Sequence, residues 1–340
     1  MIYQMLVGLR RLNYTLIILA VLTASLGFAM MFSAAGGSWS PWAGKQIIRF
    51  ALAFGLMIAI AITPQKLLFR YAYVIYFACL IVLIGIEIAG FIGKGAKRWV
   101  DVGGVNLQPS EFMKLAVILA LARYFHSQSR SEISRLIRLL PAIAMILVPA
   151  MFILRQPNLG TATILVFVAT FICFMAGVKA RYFVIIIALG LAAAPVGWHF
   201  LHDYQKQRVM TFLHPEEDPL GSGYNIMQSM IAIGSGGLFG KGYMNGSQGQ
   251  LDFLPEKHTD FIFTMIGEEF GFVGCAVVIC LYLAMIAYCV AIGLRSRNLF
   301  GSLIGFGVAA MLFIHITINM MMVMGLIPVV GVPLPLLSYG

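Results

Sequence analysis

Three carboxylates and one histidine fall within nine residues of each other. They are Asp252, Glu256, His258 and Asp260. The apolar residues that follow place the group at the mouth of a hydrophobic helix, where a carboxylate can act as a general base or bind a divalent cation, Mg²⁺ or Mn²⁺. The spacing fixes no coordination geometry; Asp252 and Glu256 are the predicted ligands of such a cation. Thr259 or Asp260 could also cap the helix, since its dipole favours an acid there.

A second pair of charges lies three residues apart. Glu111 and Lys114 follow Pro109, which suits the first turn of a helix. The spacing puts both side chains on one helix face. Charges inside an apolar helix are rare and usually face a polar cavity or each other. The pair is therefore either part of a substrate cavity or a stabilising ion pair without chemistry.

The glycine-rich run 234–242 resembles a phosphate loop but fails its pattern. Ser235 stands where the first glycine is needed, and Gly242 follows Lys241 where a serine or threonine is needed. We therefore expect no nucleotide cofactor. The glycines more plausibly allow tight turns that bring the backbone close to a ligand or to the membrane surface, and Lys241 is predicted to bind substrate. Glu87, Glu268 and Glu269 lie in or near apolar runs and are predicted either to join spans through polar contacts or, for at most one of the adjacent Glu268 and Glu269, to line a cavity.

These residues lie in a chain whose composition is that of a membrane protein. Of 340 residues, 61% are apolar and 11% are charged, and the mean hydropathy is +0.92. A soluble domain carries roughly 25% charged residues, so a soluble enzyme, a secreted disulfide scaffold and a disordered chain are excluded. The net charge of +10 does not indicate a nucleic-acid partner, because the basic residues cluster at the ends of apolar runs. The five cysteines lie inside such runs and are predicted to pack there.

Nine apolar segments predict an all-α polytopic fold with nine spans. They cover residues 13–32, 46–63, 71–92, 109–125, 139–154, 161–178, 182–200, 270–294 and 299–324. In lipid, such a run must be helical to satisfy its own backbone. The eighth segment should begin earlier, near Asp260. We expect a single integral membrane domain over residues 1–340, with a long loop at 201–259 between spans 7 and 8.

The basic residues predict the orientation of these spans. One side carries twelve basic residues and a single acid, Glu132; its basic residues are Arg10, Arg11, Lys66, Arg70, Arg123, Arg130, Arg135, Arg138, Lys179, Arg181, Arg295 and Arg297. The other side carries eleven basic and twelve acidic residues. Positive charge favours the cytoplasmic side. We therefore expect a cytoplasmic N-terminus, with loop 201–259 outside the cell.

Eight stretches of the sequence resemble the SEDS family of bacterial cell-wall proteins (shape, elongation, division, sporulation), in family order over nearly the whole chain. They are 94–101 (KGAKRWVD), 108–114 (QPSEFMK), 156–161 (QPNLGT), 202–209 (HDYQKQRV), 218–224 (DPLGSGY), 228–243, 253–263 (FLPEKHTDFIF) and 333–340 (PLPLLSYG). The stretches 258–263 and 207–209 favour the elongation branch of the family over its division branch. The resemblance implies a SEDS-like helical bundle of ten spans, of which nine are visible here.

The resemblance also implies a function and a site. The function is peptidoglycan glycosyltransferase activity on lipid II at the outer face of the bacterial cytoplasmic membrane, for cell elongation and rod shape. A class B penicillin-binding protein would be the partner that cross-links the nascent glycan strand. Asp260 matches the family's essential catalytic residue. The polar cavity of the family would be lined here by Arg49, Lys97, Glu111, Lys114 and Arg208.

Elementary chemistry agrees with this implication. Joining a sugar hydroxyl to an anomeric carbon that carries pyrophosphate needs one base and positive charge on the leaving group. An α-linked donor and a β-linked product imply inversion, for which one carboxylate suffices. Two other interpretations stay open: a lipid II flippase, and a scaffold that only positions the penicillin-binding partner.

Overall fold

The computed structural model describes residues 12–89, 91–93, 96–102, 105–129, 132–133, 135–200, 203–218, 221–251 and 253–339. Twelve α-helices make up most of this part of the chain. They are α1 (Tyr14–Ala34), α2 (Ala43–Ile62), α3 (Gln65–Ala89), α4 (Pro109–His126), α5 (Leu136–Arg155), α6 (Leu159–Met175), α7 (Ala180–Phe200), α8 (Asp203–Leu213), α9 (Ser222–Ser235), α10 (Ser247–Gln250), α11 (Ile262–Arg295) and α12 (Leu299–Val323).

Nine of these helices, α1 to α7 with α11 and α12, coincide with the nine predicted segments, which confirms the polytopic fold. Six of the nine are long and apolar enough to cross a membrane by length and composition alone. Among the other three, α6 has 17 residues and α4 carries three charged residues. The eighth span begins at Ile262, close to Asp260 as expected.

A small antiparallel sheet interrupts the helices between α3 and α4. Its strands are β1 (Phe91–Gly93), β2 (Ala96–Val102) and β3 (Val105–Leu107), in the order β1-β2-β3. Ile92 pairs with Lys97 and Asp101 pairs with Asn106. β1 and β3 have only three residues each and leave no periodic pattern, so the sequence alone does not reveal this sheet.

The segment 201–259 is folded rather than an open loop. It contains α8, a 3₁₀ turn at Pro215–Glu217, α9 and α10. Asp218 stands just before α9, where its carboxylate accepts a hydrogen bond from the N–H of Gly223 at 3.4 Å and its carbonyl accepts one from Tyr224 at 3.1 Å. An acid at this position satisfies free N–H groups at the start of the helix.

The chain divides into two compact units. The first takes the described residues of Met1–Ile62, Leu191–Met285 and His315–Gly340, and the second takes those of Thr63–Gly190 and Ile286–Ile314. The expectation of a single integral membrane domain stays a prediction.

Helix α11 is broken at Gly271, whose φ of 64° and ψ of −156° are not helical. A break frees backbone groups that must find partners inside the protein when the helix spans a membrane. Here the loop 236–242 supplies them through four backbone hydrogen bonds of 2.9–3.1 Å. These run from Lys241 N–H to Glu268 O, from Gly242 N–H to Glu269 O, from Phe272 N–H to Gly237 O, and from Val273 N–H to Leu238 O.

This close contact between the loop and α11 is possible because two residues, Gly240 and Gly271, have no side chain. A Cβ on Gly240 would collide with the carbonyl of Glu269, and a Cβ on Gly271 would lie 2.7 Å from the carbonyl oxygen of Leu238. Both residues also have a positive φ, at 79° and 64°, a region that glycine occupies at little cost. The glycines of the run therefore bring the backbone close to α11, a partner that the sequence alone did not identify.

Candidate active site

Asp260 lies in a turn that ends directly before α11. Within this turn the carbonyl of Glu256 accepts hydrogen bonds from the N–H groups of Thr259 and Phe261, at 3.1 and 3.3 Å. Thr259 donates its hydroxyl to the Glu256 carboxylate at 2.8 Å. The turn thus closes on itself and carries the half-buried Asp260 at its end.

The segment that follows α12 holds this turn. Residues 331–339, here called the C-terminal strap, follow α12 and pass beside it. Tyr339 N–H donates to the carbonyl of His258 at 2.9 Å, and the Ser338 hydroxyl donates to that of Thr259 at 2.7 Å. Asn319 of α12 donates its amide to the carbonyl of Asp260 at 2.7 Å. Three consecutive carbonyls are therefore fixed by groups far away in the sequence.

The carboxylate of Asp260 points toward the start of the strap. A Cβ built on Gly331 would lie 3.4 Å from Asp260 Oδ2, and Gly331 has a φ of 69°. A side chain at Gly331 would be strained by that backbone conformation and would touch the carboxylate. Glycine therefore leaves room beside the proposed catalytic oxygen.

Aromatic and cationic groups of the first unit surround the turn. The ring of Trp42 stacks on His258, with centroids 4.2 Å apart. The guanidinium of the half-buried Arg49 lies 4.6 Å from the ring centroid of Tyr339. A cation over an aromatic face is attracted by the ring quadrupole. Arg49, a predicted substrate-binding residue, is thus held close to the residue that anchors His258.

Glu268 is buried and acts as an anchor for the segment before α11. Its carboxylate accepts hydrogen bonds from Lys241 Nζ at 2.8 Å, from the Ser247 hydroxyl at 3.1 Å and from the N–H groups of Gln248 and Gly249 at 3.0 and 3.3 Å. Such a set of donors, including a cation, satisfies a carboxylate that burial would otherwise destabilise. Lys241, predicted to bind substrate, is therefore engaged with Glu268, and its predicted role stays a prediction.

The adjacent Glu269 faces α1 instead. It accepts a hydrogen bond from the hydroxyl of Ser33, and Tyr243 donates its own hydroxyl to the carbonyl of Ala29 at 2.8 Å. Burial raises the pKa of Tyr243 above its usual value, and the charge of Glu269 raises it further. Tyr243 therefore remains a protonated donor. Glu269 therefore connects α11 to α1 as predicted, whereas the hydrogen bonds of Glu268 go to residues 241–249 and not to another span.

Glu111 and Lys114 form the ion pair that their spacing predicts, at 2.8 Å. The Lys114 side chain is 1% exposed and that of Glu111 is 46% exposed. The spacing could not reveal which partner is buried. Both residues belong to the second unit, and whether they line a substrate cavity stays a prediction.

The other predicted site residues lie on different elements, and one of them is outside the described residues. Arg208 is half-buried on α8, in the first unit, and Lys97 lies on β2, in the second. Asp252 lies outside the described residues, so the predicted metal site is represented only by Glu256. Within the described part of the chain, no group of three or more His, Cys, Asp or Glu side chains could hold a metal ion.

Three residues that hold the turn are not among the site residues predicted from the sequence: Asn319, Ser338 and Tyr339. Ser338 and Tyr339 belong to the stretch 333–340 that carries the family resemblance, which was the available signal. Asn319 is a polar residue in an apolar helix and is 0% exposed. Buried polar side chains in spans commonly mark functional positions, so an asparagine inside an apolar run is the sequence signal for this residue.

The fold and the anchored carboxylate define a multi-pass membrane protein with an acidic site at the start of a broken span. The family model for cell cycle proteins of the FtsW, RodA and SpoVE type matches residues 12–340. The chain belongs to this family. Its multi-pass membrane character follows from that membership and from its apolar helices.

Relatives and solved structures match nearly the whole chain. Peptidoglycan glycosyltransferase MrdB of Escherichia coli K12 is 41% identical over 96% of this chain and 87% of its own length. Stage V sporulation protein E of Bacillus subtilis is 34% identical over 96% and 91%. A solved peptidoglycan synthase complex that coordinates polymerization and crosslinking contains a chain that is 30% identical, with a TM-score of 0.84 over 97% of this chain and 92% of that one. The crystal structure of rod shape determining protein RodA of Thermus thermophilus matches with 27% identity and a TM-score of 0.72, over 97% and 91%.

Proposed function

We propose that this protein is a peptidoglycan glycosyltransferase that polymerises lipid II into glycan strands during cell elongation, with Asp260 as the general base. The observation that carries the proposal is the position of Asp260. The side chain is half-buried, and three consecutive carbonyls ending at its own are anchored by hydrogen bonds. A general base needs such a fixed position within hydrogen-bond reach of the proton that it accepts.

The reaction joins the C4 hydroxyl of one disaccharide to C1 of another. Asp260 accepts the hydroxyl proton as the oxygen attacks C1, and the bond from C1 to the isoprenyl pyrophosphate breaks with inversion. The developing negative charge on the pyrophosphate requires cations nearby. Arg49 and Arg208 belong to the same unit as Asp260 and are proposed for this role. The substrate carries its own activated bond, so no nucleotide is needed.

The relatives support this proposal. MrdB of Escherichia coli and RodA of Treponema pallidum, which is 32% identical, are both named peptidoglycan glycosyltransferases. The solved synthase complex couples polymerization to crosslinking, which supports a class B penicillin-binding protein as the partner of this chain. We further propose that the protein lies in the bacterial cytoplasmic membrane with its N-terminus in the cytoplasm.

A divalent cation, Mg²⁺ or Mn²⁺, is a separate part of the proposal. Glu256 and Asp252 would hold it, and the ion would neutralise pyrophosphate charge. Glu256 fits this role in part, since it is a half-buried carboxylate four residues before Asp260. Proton transfer to Asp260 does not depend on this divalent cation, so the assignment of Asp260 as the general base does not rest on it.

The decisive experiment measures glycan strands made from lipid II by the purified protein with its penicillin-binding partner. Asp260→Asn keeps the shape of the side chain but cannot accept the proton, so polymerisation should fall by about 10²-fold or more. The matched control is Glu217→Gln, which neutralises an exposed carboxylate of the same segment and should leave the rate unchanged. Near-normal polymerisation by Asp260→Asn would refute the assignment. Translocation of lipid II headgroups in sealed vesicles, without polymerisation, would favour the flippase.

A further inference from the structure

The anchoring of the catalytic turn has a specific architecture. The carbonyls of His258, Thr259 and Asp260 accept hydrogen bonds of 2.9, 2.7 and 2.7 Å, and every donor comes from α12 or from the C-terminal strap. The donors on Ser338 and Asn319 are side-chain groups. Substitution of Ser338 or Asn319 can therefore remove these two hydrogen bonds, whereas the backbone donor of Tyr339 is present with any residue except proline.

Both side chains are themselves held in place. The Ser338 hydroxyl accepts a hydrogen bond from Leu334 N–H at 2.9 Å while it donates to Thr259. The Asn319 amide nitrogen donates to the carbonyl of Val332 at 2.7 Å as well as to that of Asp260. Asn319 is 0% and Ser338 5% exposed. Each side chain therefore links the strap to the turn through one buried polar group.

The strap is in turn fixed against other helices of the first unit. Tyr282 of α11 donates its hydroxyl to the carbonyl of Pro335 at 2.6 Å, and Gln46 of α2 donates to that of Ser338 at 3.2 Å. Gly27 of α1 lets the strap approach, because a Cβ there would lie 2.5 Å from the carbonyl oxygen of Leu337. The prolines at 333 and 335 restrict φ. The strap can thus serve as a rigid support for the turn.

We propose that Ser338 and Asn319 are positioning residues that hold Asp260 at the attacking hydroxyl. The proposal rests on the proposed function and goes beyond it, because it assigns the geometry of the base to α12 and the strap that follows it. Neither side chain touches substrate. Both act through the backbone of the turn, where a displacement of about 1 Å in a reacting group can cost about 10²-fold in rate.

A second buried serine, Ser229, distinguishes a positioning role of Ser338 from a merely structural one. The Ser229 hydroxyl is also buried and also lies 2.7 Å from the backbone carbonyl of a distant residue, Val323. It contacts Thr264 as well, at 2.7 Å. Ser229 therefore makes the same kind of bonds as Ser338 within the same unit, but neither of its two hydrogen bonds goes to the turn that carries Asp260.

The experiment compares Ser338→Ala with Ser229→Ala, using full-length protein with its partner and lipid II as substrate. Both variants should lose a similar, small amount of thermal stability, because each loses one buried serine. Ser338→Ala should lower kcat about tenfold or more while KM for lipid II stays within about twofold. Ser229→Ala should keep both constants near the parent values. Hydrogen exchange of residues 253–262 should be faster in Ser338→Ala only.

Asn319→Asp is the second variant and tests the other anchor. The change is nearly isosteric but replaces the amide donor by an oxygen that faces two carbonyls. It should also lower kcat and accelerate exchange in residues 253–262. Measured alongside Ser338→Ala, it keeps the proposal testable if one of the two proteins fails to fold.

Two results would overturn the positioning role. One is a kcat for Ser338→Ala within twofold of the parent, and the other is an equal loss of kcat in Ser229→Ala. Failure of the proposed function looks different: the parent makes no glycan strands, or Asp260→Asn remains active. The positioning role alone fails if the parent is active, Asp260→Asn is inactive and Ser338→Ala is unaffected.

Discussion

At the scale of single residues, two buried charged groups in the helices of this protein are held by specific partners. Glu268 has four donors, and Lys114 has Glu111. Burying a charge is costly, and removing the partner of a buried charge costs more than replacing the whole pair by apolar groups. Each such pair can therefore be tested by comparing single and double substitutions.

The pair of Glu111 and Lys114 gives the first prediction. Glu111→Gln leaves the buried Lys114 ammonium without this carboxylate, so it should lower thermal stability by on the order of 2 kcal/mol. Adding Lys114→Met removes the buried charge and should restore part of that loss. The measurement is thermal unfolding of the parent, the two single variants and the double variant in the same detergent. Strictly additive losses would mean that the two side chains do not interact.

At the scale of elements, the break in α11 and the loop 236–242 depend on each other. The loop satisfies the backbone groups freed at Gly271, and Gly240 allows it to approach. A residue with a side chain at Gly240 meets both a positive φ and the carbonyl of Glu269. A substitution that displaces the loop should therefore also destabilise the non-helical conformation at Gly271.

Gly240→Ala tests this dependence. The substitution should lower stability by about 1–3 kcal/mol, because the backbone is strained and the new Cβ collides with α11. Gly234→Ala is the matched control: Gly234 lies in α9, its Cβ would meet nothing within 4 Å, and alanine favours helices. Thermal unfolding should show a lower midpoint for Gly240→Ala and an equal or higher one for Gly234→Ala. Equal midpoints for the two variants would contradict the dependence.

The elements also differ in how far the sequence predicts them. The fourth segment, predicted at 109–125, is the helix Pro109–His126, and the ninth, predicted at 299–324, is Leu299–Val323. A long apolar run and a proline in the first turn are local causes, so a local pattern suffices. The sheet of β1 to β3 depends on pairing between short strands, which no local periodicity reveals.

The candidate site shows the same division. Asp260 is predictable because carboxylates cluster before an apolar run. The groups that hold its turn lie 59 residues away for Asn319 and, for Ser338, 79 residues from its partner Thr259. The choice between Glu111 and Lys114 as the buried partner depends on neighbouring helices. Such contacts follow from tertiary packing, so residue type and spacing alone could not give them.

At the scale of the whole molecule, the distribution of charge predicts how the protein crosses the membrane. Twelve basic residues and one acidic residue are predicted to lie on the side that holds Arg135, whereas most of the acidic residues are predicted to lie on the side that holds the segment 201–259. Basic residues in short loops are retained in the cytoplasm. The proposed function requires the segment 201–259 and Asp260 to lie outside the cell, where lipid-linked precursors would be used.

Single-cysteine labelling in spheroplasts tests this orientation. In a background without the five native cysteines, Glu217→Cys places a thiol at an exposed position of the segment 201–259, and Arg135→Cys places one at an exposed position that is predicted to face the cytoplasm. A membrane-impermeant maleimide should label Glu217→Cys in intact spheroplasts and Arg135→Cys only after the membrane is ruptured. The cysteine-free protein controls for background. The reverse pattern would invert the topology and would place Asp260 on the wrong side of the membrane for the proposed reaction.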